Sequence, residues 1–156
     1  MMRASTLVFL LAALLAAFAL PARALPAFAA KDASIDQLIA RAESARPEER
    51  PALYLEIAHL KVESADKLYN AGNSEAGNAA LQEVLSYSKK ATDASIDTGK
   101  RLKATEIALR KMAEKLRDVK RTVVFEDQSP IQQAIDQLEQ MRTDLLSAMF
   151  GKKKGK

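Results

Sequence analysis

The chain has a single imidazole, His59, and no cysteine among its 156 residues, so the chemistry it can assemble is narrow. Thiolate nucleophiles, disulfides, iron–sulfur clusters and cysteine-type zinc sites are excluded. His59 follows Glu56 at the i, i+3 spacing of di-iron carboxylate proteins, in which two such pairs and two further glutamates converge on the metals. The sequence holds no second histidine, so the second pair would have to come from another copy of the chain. A solvated His59, paired along its own helix, is the simpler reading. Serines and aspartates are plentiful, but no spacing ties them to His59 as a triad. The adjacent carboxylates Glu48-Glu49 and Glu126-Asp127 fall near expected helix starts and connectors, where capping and the helix dipole account for them. The sequence therefore predicts no catalytic residue, no metal site and no cofactor.

Charge is distributed more tellingly. Residues 100–121 carry nine bases, Lys100, Arg101, Lys103, Arg110, Lys111, Lys115, Arg117, Lys120 and Arg121, against Glu106, Glu114 and Asp118. The following stretch to residue 150 carries Glu126, Asp127, Asp136, Glu139 and Asp144 against Arg142 alone. One reading is complementarity between antiparallel neighbours plus a solvated helix face. The other is a basic surface for an anionic partner such as phospholipid, cell-wall polymer or nucleic acid. Nucleic acid is the least favoured of the three, because no aromatics interleave the bases. The chain ends on Met149 and Phe150, then Gly151, Lys152, Lys153, Lys154, Gly155 and Lys156. These two apolar side chains and four cations form a candidate contact with an anionic membrane surface; the alternative is a solubilising tail that complements the helix dipole.

The elements that must position these residues begin after a leader. A basic start at Arg3, an apolar run from Leu7 to Leu20 and a small-residue stretch to Ala30 have the three-part pattern of a secretory signal peptide. The apolar run would span about 21 Å as a helix, short of the roughly 30 Å hydrocarbon core of a bilayer. The expected layout is a signal peptide at 1–29 cleaved after Ala29, one helical domain at 30–150 and a basic tail at 151–156, in a periplasmic or secreted protein with no transmembrane span in its mature chain; cleavage after Ala24 and an uncleaved membrane tether are the competing readings. Arg3 and Arg23 leave with the leader, so the formal charge falls from +4 to +2, and the tail lysines alone exceed that remainder.

Beyond the leader the spacing is helical. Ser34 and Gln37 form a capping box that opens a short first helix, which Arg46-Pro47 ends. A second helix is expected at about 50–71, with Gly72 and Asn73 as its left-handed cap and Ser74 as the next N-cap. From Leu81 through Val84, Ser88, Ala91, Ser95, Thr98, Leu102, Thr105, Leu109, Met112, Leu116 and Val119 to Val123, apolar or small residues keep one heptad phase. That phase predicts one helix over about 75–121, about 70 Å long, with Gly99 internal; a stop at Gly99 is the competing reading. Phe125 to Gln128 reads as a polar connector, and Ser129 with Pro130 as the start of a last helix at about 130–149.

The fold class expected is all-α: an elongated bundle of antiparallel helices, the long central one flanked by the helices at about 50–71 and 130–149. Within it, Leu68-Tyr69, the Gly72-Asn73-Ser74-Glu75 turn, Ala80-Leu81 and Val84-Leu85 resemble the inter-helix turn of a tetratricopeptide repeat over about residues 55–88. The resemblance implies a single hairpin of the kind that presents a protein-binding surface, since a solenoid needs about three repeats, and it carries no ligand residues. The whole chain also resembles small exported helical proteins of bacteria, which implies no activity. The function expected is a non-catalytic exported interaction or scaffold module whose exposed helix faces or heptad seam bind a protein partner or itself, the exposed part of the seam being the testable feature. The alternative is peripheral binding to an anionic membrane or cell wall through residues 100–121 and the lysine tail.

Overall fold

A computed structural model describes residues 27–151, with side chains described from Ser34 onward. The leader to residue 26 and Lys152, Lys153 and Lys154 of the tail lie outside the described residues. Five helices follow one another: α1 (Ala27–Ser44), α2 (Arg50–Asn70), α3 (Ser74–Thr98), α4 (Leu102–Thr122) and α5 (Phe125–Phe150). No strand occurs among the described residues.

α1 is already helical at Ala27, so Ser34 is an internal residue and not the N-cap expected from its spacing to Gln37. Alanines at 27, 29, 30 and 33 have the highest helix propensity and extend the helix upstream past the capping box. Ser44 ends α1 by donating to the carbonyls of Ala40 and Arg41 at 3.1 and 3.2 Å. The Arg50 guanidinium then holds the Ala45 carbonyl at 3.0 Å, and Pro51 stands in the first turn of α2, where its missing amide does little harm.

The α2–α3 turn is fixed by its backbone. The Gly72 amide donates to the Tyr69 carbonyl and the Asn73 amide to the Leu68 carbonyl, both at 2.9 Å. With Gly72 at φ +74° this is a Schellman motif, in which a left-handed residue satisfies the last carbonyls of a helix. Asn73, not Ser74, caps α3, accepting from the Ala76 amide at 3.2 Å. The Ser74 hydroxyl is left to donate to Asp127 Oδ2 at 2.5 Å, which ties the start of α3 to the start of α5.

The single long helix expected over 75–121 is instead two. Gly99 adopts φ +66° and Arg101 φ +59°, and the chain folds back so that the Ser95 and Thr105 hydroxyls meet at 2.8 Å in the interior. Two left-handed residues within three positions cannot belong to a right-handed helix, and the small side chains from Ser88 to Thr98 let α4 come close. The seam residues are still buried or half-buried from Leu81 to Val123, but they face partners within the chain. The exposed stretch of seam expected as a docking stripe is therefore absent. Ser88 Oγ is the one buried side-chain polar atom without a hydrogen-bond partner among the described residues.

α5 also starts earlier than expected. Val124 is its N-cap, Glu126 and Asp127 occupy its first turn, and Pro130 lies inside it. Two carboxylates at the positive end of the helix dipole favour this early start. Pro130 offers no amide to the carbonyl of Glu126, a residue exposed to solvent, so the lost hydrogen bond leaves no buried polar group behind.

The helices form two hairpins, α2–α3 and α4–α5, packed on one another through α2 with α4 and α3 with α5. Polar links give the directions. Lys115 of α4 meets Asp66 of α2 at 2.6 Å, near the C-terminal part of each helix, and Ser74 meets Asp127 near the N-terminus of each. α2 thus runs parallel to α4, and α3 parallel to α5. The main core joins Val62, Leu81, Val84, Leu109, Leu116, Ile131, Leu138 and Leu145. α1 packs on α2 over a separate small core of Ile35, Ala42, Leu53 and Ile57. Beside it, the Tyr54 and Tyr87 rings lie 6.3 Å apart under Lys90, whose Nζ is 4.9 Å from the Tyr87 centroid.

Candidate functional site

The residues singled out for catalysis or metal binding lie apart. His59 projects from α2 with its side chain 63% exposed, and its Nε2 stands 3.4 Å from Glu63, one turn later, on the side away from Glu56 in sequence. Among the described residues no three His, Asp or Glu side chains gather as metal ligands. Glu48 and Glu49 lie beside Arg46, at 3.8 and 2.5 Å from its guanidinium. The hydrogen bond from Arg46 holds the Glu49 carboxyl below its ordinary range. Asp127 is taken by Ser74.

The basic segment divides into two groups. At its C-terminal half the cations bind neighbours. Arg117 donates to Glu139 at 2.7 Å, Lys120 to Gln132 at 2.7 Å, Arg121 to Asp118 at 3.0 Å and Lys115 to Asp66. The hydrogen bond to Asp66 pushes the Lys115 ammonium above its usual value. Arg142, the lone base of the acidic stretch, reaches across to the one acid in the first turns of α4: its Nε and Nη2 meet Glu106 Oε1 at 3.0 and 2.6 Å. It also bonds Glu139, so Arg117, Glu139, Arg142 and Glu106 form one network along the α4–α5 contact. Charge complementarity between antiparallel neighbours accounts for this network, while Lys115 pairs with the parallel α2 and Arg121 within α4 itself.

At the N-terminal half, Lys100, Lys103, Arg110 and Lys111 are exposed, and none of their side chains has a polar partner among the described residues. Arg101 borders an open cleft of about 450 Å³ with Arg41, Ser44, Glu48 and Glu49, between α1 and the α3–α4 corner. Because α3 and α5 run parallel and start together at Ser74 and Asp127, equal rises along both bring Phe150 about level with Asp97. The corner bearing Lys100, Arg101 and Lys103 and the end of α5 thus share one end of the bundle. Ile96, Leu146 and Phe150 are exposed there by 38%, 40% and 68%, while Met149 is half-buried.

The opposite end carries an apolar surface where a polar connector is expected. Val124 and Phe125 are 63% and 82% exposed at the α4–α5 turn. Two adjoining clefts flank them, about 410 Å³ lined by Arg117, Lys120, Arg121, Gln128 and Gln132, and about 520 Å³ reaching Phe125, Glu126 and Ser129. The signal in the sequence is the apolar run Val123-Val124-Phe125 at an element boundary, where turn residues are usually polar. No described helix is long and apolar enough to cross a membrane.

No family model, curated protein or solved structure matches this chain.

Proposed function

We propose that the protein is a non-catalytic helical interaction module, exported by its N-terminal leader, which holds a protein partner or a second copy through an end of the bundle. The observation that carries this reading is the Val124-Phe125 projection beside clefts with amide and guanidinium linings. Exposed aromatics next to arginine are the composition of interface anchors, and the seam side chains expected to serve are consumed inside the fold. In this reading the α2–α3 hairpin, residues 50–98, serves as one structural unit of the scaffold. A photo-crosslinking residue at Gln128, in the native compartment, is expected to give a discrete adduct that Phe125→Asp abolishes. Phe125 is at the first position of α5, where an acid suits the dipole, so this change leaves thermal stability intact. An adduct that survives Phe125→Asp at full yield overturns the assignment.

A second reading, binding to an anionic membrane or cell-wall surface, is supported by the convergence of Lys100, Arg101 and Lys103 with Leu146 and Phe150 at one end. The lysines of the tail follow Phe150 in the sequence. Each cation near an anionic bilayer contributes about 1 kcal/mol. Binding to anionic vesicles is expected to weaken with salt and to drop on replacing Lys100, Lys103 and Phe150 together; equal binding to neutral vesicles overturns it.

A further inference from the structure

The α3–α4 corner holds together two hairpins that could equally pair with those of another chain. The connection is three residues long, and two of them are left-handed, Gly99 at φ +66° and Arg101 at φ +59°. Arg101 is the only non-glycine residue with positive φ among the described residues, a conformation that L side chains adopt at a cost. Around it the direct α3–α4 contact is slight compared with the packing of α2 on α3 and of α4 on α5. The hairpins are joined instead through α2 with α4 and α3 with α5, by links such as Lys115–Asp66 and Ser74–Asp127, none of which depends on both helices belonging to one chain.

The heptad phase runs straight through this corner. Val84, Ser88, Ala91, Ser95 and Thr98 continue without a slip into Leu102, Thr105, Leu109, Met112 and Leu116. If residues 99–101 became helical, both buried seams would lie on one face of a single rod. Two such rods, antiparallel and face to face, would let the α2–α3 hairpin of each copy receive the α4–α5 hairpin of the other. Every contact between hairpins outside the corner would be rebuilt, in two bundles end to end. A short strained hinge between units that pair well is the situation in which exchange of an identical element is favoured.

We propose that the protein forms a domain-swapped dimer by opening at residues 99–101, exchanging the α4–α5 hairpin between copies. The swap goes beyond the interaction reading above, because it uses the internal bundle contacts and leaves Phe125 free. The monomer keeps the bent corner, and the dimer replaces it by two bridging helices. Concentration and refolding at high protein favour the dimer, and residues 99 and 101 set the balance. Gly99→Ala disfavours the left-handed corner and favours helix, so it raises the dimerisation constant by about tenfold or more. Arg101→Gly relaxes the corner and weakens a helical hinge, and lowers that constant by a similar factor.

The test uses the full chain expressed with its own N-terminal segment, and the absence of natural cysteine removes any thiol background. Chains carrying Ser74→Cys and chains carrying Asp127→Cys are refolded together at high concentration, and the dimer fraction is oxidised. Exchange brings the two introduced thiols together across chains and gives a covalent heterodimer that neither chain forms alone. As a second variant, Ser95→Cys with Thr105→Cys closes the corner when oxidised; it stays monomeric on concentration and recovers dimer formation on reduction. Dimers that yield no cross-chain disulfide, or light scattering that shows only monomer for both the natural chain and Gly99→Ala, overturn the proposal. Loss of the Gln128 adduct in the separate crosslinking experiment leaves it standing.

Discussion

Gly77 and Tyr69 are shaped to one another. A Cβ at residue 77 would lie 3.0–3.1 Å from three carbons of the Tyr69 ring, and the ring is fixed by burial and by its hydroxyl, which bonds Asn78 Oδ1 at 2.7 Å. Gly77→Ala gains about 1 kcal/mol of helix propensity but overpacks a site that cannot shift, at about 1–3 kcal/mol. Net destabilisation is expected in urea unfolding, with recovery when Tyr69 is also shortened to Leu. The same burial, with the negative charge of Asp127 added, pushes the Tyr69 phenol up to about 12. Below pH 10 folded and unfolded chains both keep its proton; between about 10 and 12 only the unfolded chain releases it, so stability falls as pH rises and levels off above the folded value. Tyr69→Phe is expected to flatten that part of the pH profile, measured as the difference in urea midpoints between the two chains. Ser88→Ala removes a buried hydroxyl with no partner and is expected to raise stability by about 1 kcal/mol, read from the melting temperature.

Among the elements, α4 and α5 owe their register to Arg142, Glu106, Glu139 and Arg117. The Arg142 and Glu106 side chains are only 21% and 14% exposed, so deleting the arginine strands a carboxylate with little water around it. Arg142→Met is expected to cost about 2–4 kcal/mol in unfolding free energy, and Arg142→Met with Glu106→Leu to recover much of it, because removing both charges leaves none unpaired. The opposite net charges of 100–121 and 122–150 make such pairing legible in the sequence. Which cations are spent on it is not legible there, since Lys115 turns to α2 and Lys100, Lys103, Arg110 and Lys111 find no described partner. Helix ends are legible where one residue dictates the backbone, as at Gly72. They are not where several starts are compatible with the sequence: Ser34 and Ser129 both have N-cap chemistry, yet α1 and α5 run through them because alanines or a Glu126-Asp127 turn upstream extend the helix.

At the scale of the whole molecule, the two cores differ in support. α1 packs chiefly on α2 and rests on a small core of four buried residues with Tyr87 of α3 at its edge, whereas the four-helix core draws on every other element. Local opening follows the least buried unit, so amides of residues 35–44 are expected to exchange with deuterium well before those of 109–119; equal protection would mean that α1 folds as one with the bundle. The sequence by itself determined that the chain is helical, which face of each helix is buried and where α2 turns into α3, because apolar spacing and a left-handed glycine act locally. The tertiary structure alone decided that the seam from Leu81 to Val123 folds on itself at Gly99, which cations stay free and that Phe125 projects. The physical reason is that a heptad phase encodes a buried face without naming what covers it. Packing of α2 on α4 and of α3 on α5 supplies the cover, and the left-handed backbone at Gly99 and Arg101 brings that cover from the same chain.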